Sequence, residues 1–98
     1  MQTNIIVITA LDMELDASKL PSGVGVYYSG VGKINATIAT MRAIQHSKPN
    51  LIINFGTAGA VHTSTTGLLS IKRVVQRDII AEPLSPRGRV PFCTRPHE

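Results

Sequence analysis

The chain has 98 residues, enough for a single domain, and a globular chain of this length buries only about 60 to 65% of its unfolded surface. Hydrophobic residues make up 43% and charged residues 16%, as in folded globular proteins, and no apolar run approaches the roughly 20 residues of a membrane span. The net charge of +4 comes mostly from basic residues in the last third, but acidic residues and prolines interrupt them and few aromatic rings accompany them. We therefore expect neither a membrane nor a nucleic-acid partner.

The first residues, MQTNIIVITALDMELD, indicate a buried strand rather than a signal peptide, because they lack a basic leader and turn acidic after a short apolar run. The single cysteine, Cys93, cannot form a disulfide within the chain and suits a reducing compartment. We expect a cytoplasmic protein.

Apolar runs and turn residues predict the elements of the first thirty residues. Asn4–Ala10 (NIIVITA) is a continuous run rich in β-branched residues, the pattern of a strand covered on both faces in a parallel sheet. A helix is predicted over residues 11–20, because Asp12 is placed to cap it and leucines follow near helical spacing until Pro21. Gly25–Ser29 (GVYYS) is predicted as the second strand.

The next elements follow a pair of glycines. Gly30-Val31-Gly32 turns the chain into a helix predicted from about Lys33 to Ser47, and Lys48-Pro49-Asn50 ends it. Leu51–Phe55 is apolar throughout and is predicted as the third strand, and Leu68–Ile80 as one further extended segment. One face of the predicted helix carries the large apolar residues Ile34, Ile38, Met41 and Ile44.

Strand, helix and strand in this order predict a right-handed βαβ unit, so the fold class is α/β with a mostly parallel central sheet flanked by helices. Prolines at positions 83, 86, 91 and 96 exclude a helix or a central strand near the end of the chain. We predict a domain over residues 1–80 and an irregular tail rich in Pro and Arg over residues 81–98. Because no further helix is predicted to cover the sheet, we expect the chain to be the N-terminal part of something larger or an obligate partner in an assembly.

Candidate site residues lie in the loops that follow the three strands, because ligands of α/β sheets bind beyond the carboxyl ends of the strands. These loops are Thr9–Asp16, Ser29–Lys33 and Phe55–Gly67, and we expect them to converge. Glu14 in the first loop can be explained by helix capping and the helix dipole, or it can be a functional carboxylate whose pKa is raised by partial burial. The residues alone leave both interpretations open.

The glycine, histidine and cysteine patterns exclude several familiar sites. GVGKIN lacks the third glycine of a dinucleotide fingerprint and the flanking residues of a P-loop. Gly30 and Gly32 therefore indicate either a tight turn into a helix or backbone amides that hold a polar ligand group. No metal site is predicted, because the histidines are scattered and Cys93 has only His97 at ligand spacing.

Four short motifs occur in a fixed order along the chain. ALDMEL places Glu14 four residues after an alanine, and SGVGK follows at 29–33. Lys48-Pro49 then precedes LIINFGTAGA, and Gly67 opens the segment after it. Together these motifs resemble those of the nucleoside phosphorylase and nucleosidase superfamily, and more narrowly of methylthioadenosine/S-adenosylhomocysteine nucleosidases, over residues 4 to about 75. The resemblance implies a three-layer α/β fold of which this chain holds the N-terminal half.

The resemblance also implies roles for individual residues. Glu14 would be the general base on the attacking water, and Thr57, where the family usually has serine, would help to hold that water. Ala58 and Gly59 belong to the loop that passes close to the nucleoside, and Val31 would line the apolar pocket for the 5′ substituent. No cofactor or metal is implied.

By this resemblance the activity would be hydrolysis of the N-glycosidic bond of a purine nucleoside of the 5′-methylthioadenosine/S-adenosylhomocysteine type, as in methionine salvage, by a homodimer. Phosphorylases of the superfamily have an arginine where this chain has Asn54, so water is the expected co-substrate, although Arg73, Arg77 or Arg87 could supply charge. The family's proton donor and ribose-binding glutamate lie in the C-terminal half, so we expect this chain alone to be inactive. The alternative is a non-catalytic module that binds nucleosides or assembles with a partner.

Overall fold

The structure, a computed structural model, describes residues 4–92 of the chain, which divides into two units, Met1–Gly59 and Ala60–Glu98. The division predicted at residue 80 stays a prediction. No helix among the described residues is long and apolar enough to cross a membrane. In chain order the first unit contains strand β1 (Ile5–Thr9), two 3₁₀ turns (Asp12–Glu14 and Ala17–Lys19), strand β2 (Val24–Tyr28), helix α1 (Lys33–Ser47) and strand β3 (Leu51–Asn54).

The three strands form one parallel sheet in the order β2-β1-β3. Ile5 is paired with Val24 of β2 and with Leu51 of β3, so β1 lies between its two neighbours. Its β-branched residues suit this central place, and Ile6 and Ile8 are only 3 and 4% exposed. The predicted α/β fold with a parallel sheet is confirmed.

Helix α1 packs on one face of the sheet through small residues. Ala39 and Ala43 are buried, and Ala43 joins Ile6 and Ile8 in the apolar core. The large apolar residues on the other side of the helix remain exposed, by 75, 45, 50 and 43% for Ile34, Ile38, Met41 and Ile44. These four residues, here called the apolar stripe of α1, are therefore left uncovered in the described part of the chain.

Both ends of α1 are set by residues with unusual backbone angles. Gly32 is the N-cap residue with φ of 99°, and Gly30 before it has φ of 81°, a region that residues with a Cβ rarely adopt. At the other end Lys48 is left-handed (φ 45°, ψ 58°) and its N–H donates to the carbonyl oxygen of Ile44. Pro49 follows and cannot continue the helix, so the predicted bounds of α1 are confirmed.

Residues 11–20 do not form the predicted helix. They form the two 3₁₀ turns, and Leu11 rather than Asp12 is the N-cap residue of the first. Asp16 caps the second turn, where its Oδ1 accepts hydrogen bonds from the backbone N–H and the hydroxyl of Ser18 at 3.0 and 2.7 Å. Such local side-chain bonds compete with helix formation, so the leucine spacing does not decide the structure here.

Residues 68–80, predicted as one further extended segment, form no strand, and no helix or strand occurs over residues 60–92. The Gln76 N–H donates to the carbonyl oxygen of Gly88 at 3.0 Å, and the Gly88 N–H donates to that of Ile79 at 2.9 Å. A strand needs a partner with which to form a ladder, and these two hydrogen bonds join loop residues without forming one.

Candidate functional site

A cavity of about 380 Å³ lies at the carboxyl ends of the three strands. Backbone hydrogen bonds hold the following loops together there, since the Ser29 N–H donates to the Thr9 carbonyl oxygen at 2.9 Å and the Phe55 N–H to that of Ile8 at 3.0 Å. Residues from the loop after β1, from the glycine turn before α1, from α1 and from the loop after β3 line the cavity. The predicted convergence of the three loops is observed.

Glu14 and Thr57 meet at this cavity although 43 residues separate them in the chain. Glu14 Oε2 accepts hydrogen bonds from the backbone N–H and the hydroxyl of Thr57 at 2.8 and 2.9 Å. Its Oε1 accepts a third hydrogen bond, from the backbone N–H of Leu11 at 3.0 Å. The carboxylate therefore ties the loop after β1 to the loop after β3.

These hydrogen bonds lower the pKa of Glu14 below its ordinary value of 4.5. The backbone N–H of Thr57 contributes most to the lowered pKa, the Thr57 hydroxyl comes next, and the Leu11 N–H adds to them, while partial burial opposes the shift. The expectation that burial raises the pKa of Glu14 is wrong, because three donors stabilise the carboxylate more than limited desolvation destabilises it. Glu14 is therefore ionised throughout the neutral pH range.

Gly56 makes this approach possible. A Cβ atom at position 56 would lie 3.1 Å from Glu14 Oε2, closer than most side chains tolerate. The loop after β3 can bring the Thr57 donors to the carboxylate because the residue before Thr57, Gly56, has no side chain. The run of small residues in INFGTAGA thus has a structural reason at its first glycine, Gly56, which lies against Glu14.

A second groove, of about 520 Å³, lies at the opposite end of β3, where Ile44, Lys48 and Leu51 are among the residues that line it. We do not place the candidate site there, because ligands of α/β sheets bind at the carboxyl ends of the strands and the Glu14 carboxylate lies at that end.

The structure brings together only part of the predicted site. Glu14 and Thr57 line the cavity, whereas Val31, Ala58 and Gly59 are not among the residues that line it. Val31 is 68% exposed, and Ala58 and Gly59 are exposed as well. The contacts expected of these three residues with a nucleoside stay predictions.

Sequence reasoning missed Thr9 and Thr40, which line the same cavity. Thr9 ends β1 and is 1% exposed, and its Oγ1 has no hydrogen-bond partner among residues 4–92. A hydroxyl at the end of an otherwise apolar strand was the available signal. Thr40 lies one turn after Ala36 on α1 and donates its hydroxyl proton to the Ala36 carbonyl oxygen at 2.7 Å.

The remaining sequence predictions concern charge and metal binding. Within residues 4–92 no group of three or more His, Cys, Asp or Glu residues is arranged to hold a metal ion. Cys93 and His97 lie outside the described residues. The arginines considered as phosphate ligands, Arg73, Arg77 and Arg87, belong to the second unit.

Comparison with known protein families identifies the family of the chain. Residues 20–93 match the family model of the Phosphorylase superfamily, which is more than half of the chain. The chain belongs to the Phosphorylase superfamily. The predicted resemblance is confirmed, and the parallel sheet with α1 is consistent with part of the α/β fold of this superfamily.

Curated relatives of this Phosphorylase superfamily member match part of its chain. The 5′-methylthioadenosine/S-adenosylhomocysteine nucleosidase of Staphylococcus haemolyticus (strain JCSC1435) is 39% identical over 66 residues, 64% of this chain and 29% of the relative. The protein of the same name from Hydrogenovibrio crunogenus is 36% identical over 66 residues, with 64% and 28% covered. That of Staphylococcus aureus (strain bovine RF122 / ET3-1) is 53% identical over 36 residues, 37% of this chain and 16% of the relative. The chain thus spans less than a third of these relatives, and no solved structure matches it significantly.

Proposed function

We propose that the chain forms one wall of the active site of a purine nucleosidase that hydrolyses the N-glycosidic bond of substrates of the 5′-methylthioadenosine/S-adenosylhomocysteine type. One observation carries the proposal: an ionised glutamate, held by Thr57, lies at a cavity beyond the carboxyl ends of parallel strands. The names of the curated relatives support the substrate class.

Hydrolysis of an N-glycosidic bond makes two demands on the protein. The oxygen of a water forms a bond to the anomeric carbon of the sugar while one water proton passes to a base, and we propose Glu14 as that base. The bond from sugar to purine breaks with its electron pair going to the purine, which then takes a proton. The ionisable residues among the described ones that line the cavity are Glu14 and Lys33, and neither matches the family's proton donor, which the resemblance places in the C-terminal half. We therefore propose that further polypeptide supplies the proton.

Water rather than phosphate is the proposed co-substrate. Asn54 ends β3 and lines the cavity at the position where phosphorylases of the superfamily have an arginine. An amide cannot supply the charged, bidentate contact by which an arginine binds phosphate. We propose that the completed pocket needs no cofactor, that Val31 contacts the 5′ substituent, and that Ala58 and Gly59 pass close to the nucleoside.

The cellular setting is part of the same proposal. We infer a cytoplasmic protein of methionine salvage that works as a homodimer. The alternative is a module that binds nucleosides or assembles with a partner without turnover. The uncovered apolar stripe of α1 favours the assembly role within that alternative, because exposed large apolar residues in one row are typical of an interface.

The test is release of adenine from 5′-methylthioadenosine, with the intact mass of each sample measured alongside. It compares the chain as given with a longer product of the same gene, each as the wild type, as Glu14→Gln and as Asp12→Asn. Asp12 is an exposed carboxylate two residues away and serves as the matched control. We expect turnover from the longer product, loss of at least about a hundredfold in Glu14→Gln, and no loss in Asp12→Asn. Turnover that survives Glu14→Gln contradicts the assignment of the base, and nucleoside binding without turnover in every sample supports the binding module.

A further inference from the structure

Thr57 directs both of its hydrogen-bond donors at a single atom. Its backbone N–H and its hydroxyl lie 2.8 and 2.9 Å from Glu14 Oε2. An ionised carboxylate is only an acceptor, so the direction of both hydrogen bonds is fixed. A threonine hydroxyl has one proton, and here that proton is given to Glu14.

This donor arrangement limits what else each group can bind. An ionised carboxylate has about four acceptor sites, and in this structure the two donors of Thr57 and the Leu11 N–H use three of them. The remaining acceptor capacity falls on Oε1, which has one donor, rather than on Oε2, which has two. The Thr57 oxygen keeps its lone pairs, so it can still accept a hydrogen bond but has no proton left to donate.

We propose that Thr57 is a positioning residue that orients the Glu14 carboxylate, so that Oε1 rather than Oε2 is left to accept from the attacking water. The inference rests on the proposed function and changes the role that family resemblance implies for Thr57, which is to hold the water. The attacking water then donates one hydrogen bond to Glu14 Oε1. That proton points away from the substrate, and an oxygen lone pair is left for the anomeric carbon.

In the reaction step this arrangement is balanced. The water oxygen forms the new bond to the anomeric carbon, the proton on the Glu14 side passes to Oε1, and the bond from sugar to purine breaks with its electrons on the purine. The second proton of the water stays on its oxygen, which becomes the new hydroxyl of the sugar. Thr57 exchanges no proton and acts through the orientation of Glu14.

The first measurement is a titration of the Glu14 carboxyl by carbon-13 NMR in the chain as given, without ligand. Thr57→Val removes the hydroxyl and keeps the backbone donor at nearly constant shape, whereas Thr57→Ser keeps both donors. Thr66→Val, at an exposed threonine, is the matched control. We expect Thr57→Val to raise the pKa of Glu14, because the carboxylate loses a donor, and Thr57→Ser and Thr66→Val to leave it unchanged. An unchanged pKa in Thr57→Val, or an equal shift in Thr57→Ser, overturns the proposal.

The second measurement is the pH profile of adenine release in the longer product. Thr57→Val is expected to move the acidic limb of kcat/KM to higher pH and to lower kcat roughly tenfold with little change in KM, and Thr57→Ser to restore the wild-type profile. A Thr57→Val variant that changes KM alone contradicts a positioning role. The NMR titration needs no turnover, so the two proposals can fail separately. A raised Glu14 pKa in Thr57→Val together with an inactive wild-type longer product would refute the nucleosidase function and leave the orientation of Glu14 by Thr57 standing.

Discussion

At the scale of single residues, the contact of Glu14 with the loop after β3 depends on the absence of a Cβ atom at position 56. A side chain at position 56 would lie 3.1 Å from Glu14 Oε2, whereas one at Gly59 would meet no atom within 4 Å. The two glycines belong to the same small-residue run, yet only the first is in contact with the carboxylate. Sequence reasoning treated the run as one feature, because nothing in its composition shows which glycine faces Glu14.

Gly56→Ala tests this difference. We expect the new methyl group to push the carboxylate away from the Thr57 donors, so that the pKa of Glu14 rises and adenine release by the longer product falls on the order of tenfold. Gly59→Ala, where the methyl group meets no atom of the chain, is expected to leave the pKa of Glu14 unchanged. Carbon-13 titration of Glu14 measures the pKa in both variants, and kcat measures the loss in Gly56→Ala. An equal rise of the Glu14 pKa in both variants would show that small size along the whole loop, rather than close approach to Glu14, is what matters.

At the scale of elements, local signals decide the parts that sequence predicts well. The bounds of α1 follow from Gly32 before it and from Lys48 and Pro49 after it, and all three act within their own neighbourhood. The segment 11–20 is predicted wrongly because Asp16 and Ser18 form a local turn, and Glu14 is held by Thr57 from outside. Contacts of this kind do not produce a periodic pattern of apolar residues, so they cannot be predicted from the sequence.

The candidate site likewise has features that the sequence predicts and features that it does not. Convergence of the loops could be predicted because parallel strands end at one edge of a sheet, and Glu14 and Thr57 do meet there. Burial of Thr9 could not be predicted, because it depends on how the segments around β1 pack. The sign of the Glu14 pKa shift was also missed, because it depends on three donors that only the folded chain brings together.

Gly32→Ala tests the element that opens α1. The N-cap φ of 99° is strained for any residue with a Cβ, and no atom lies within 4 Å of where that Cβ would be. We therefore expect a loss of about 1 to 3 kcal/mol in the free energy of unfolding from backbone strain alone. Chemical denaturation followed by circular dichroism measures the loss, with Gly59→Ala as the control. A cost near zero would mean that the turn relaxes to a different cap.

At the scale of the whole molecule, the described chain has a small apolar core and much exposed apolar surface. The buried apolar residues are Ile6, Val7, Ile8, Ala39 and Ala43. The apolar stripe of α1 and much of β3 remain exposed. With so little burial, a few ionic hydrogen bonds carry a visible share of the stability, and Glu14 and Asp16 are the carboxylates whose pKa is lowered by folding.

Stability is therefore expected to fall in acid. Folding lowers the pKa of Glu14, so the unfolded chain binds its proton more readily, and the stabilisation is fully present above the ordinary value of 4.5 and is lost as the pH falls through the lower, folded pKa. The denaturation midpoint of the wild type should exceed that of Glu14→Gln by a constant margin near neutral pH, and the margin should vanish in acid. The same measurement on Asp12→Asn is the control. A margin that grows as the pH falls would reverse the sign of the inferred pKa shift.

The central place of β1 has a consequence for the order in which the chain folds. β1 is made first but lies between β2 and β3, and its pairing with β3 joins residues 46 positions apart, Ile5 and Leu51. The backbone hydrogen bonds within helix α1 are local, so the helix can form while the chain is still growing, whereas the apolar run IIVIT has partners on both sides only after residue 54 has been made. Until then one edge of a strongly β-prone strand is open to other chains, so residues 5–54 are the shortest stretch that closes both of its edges.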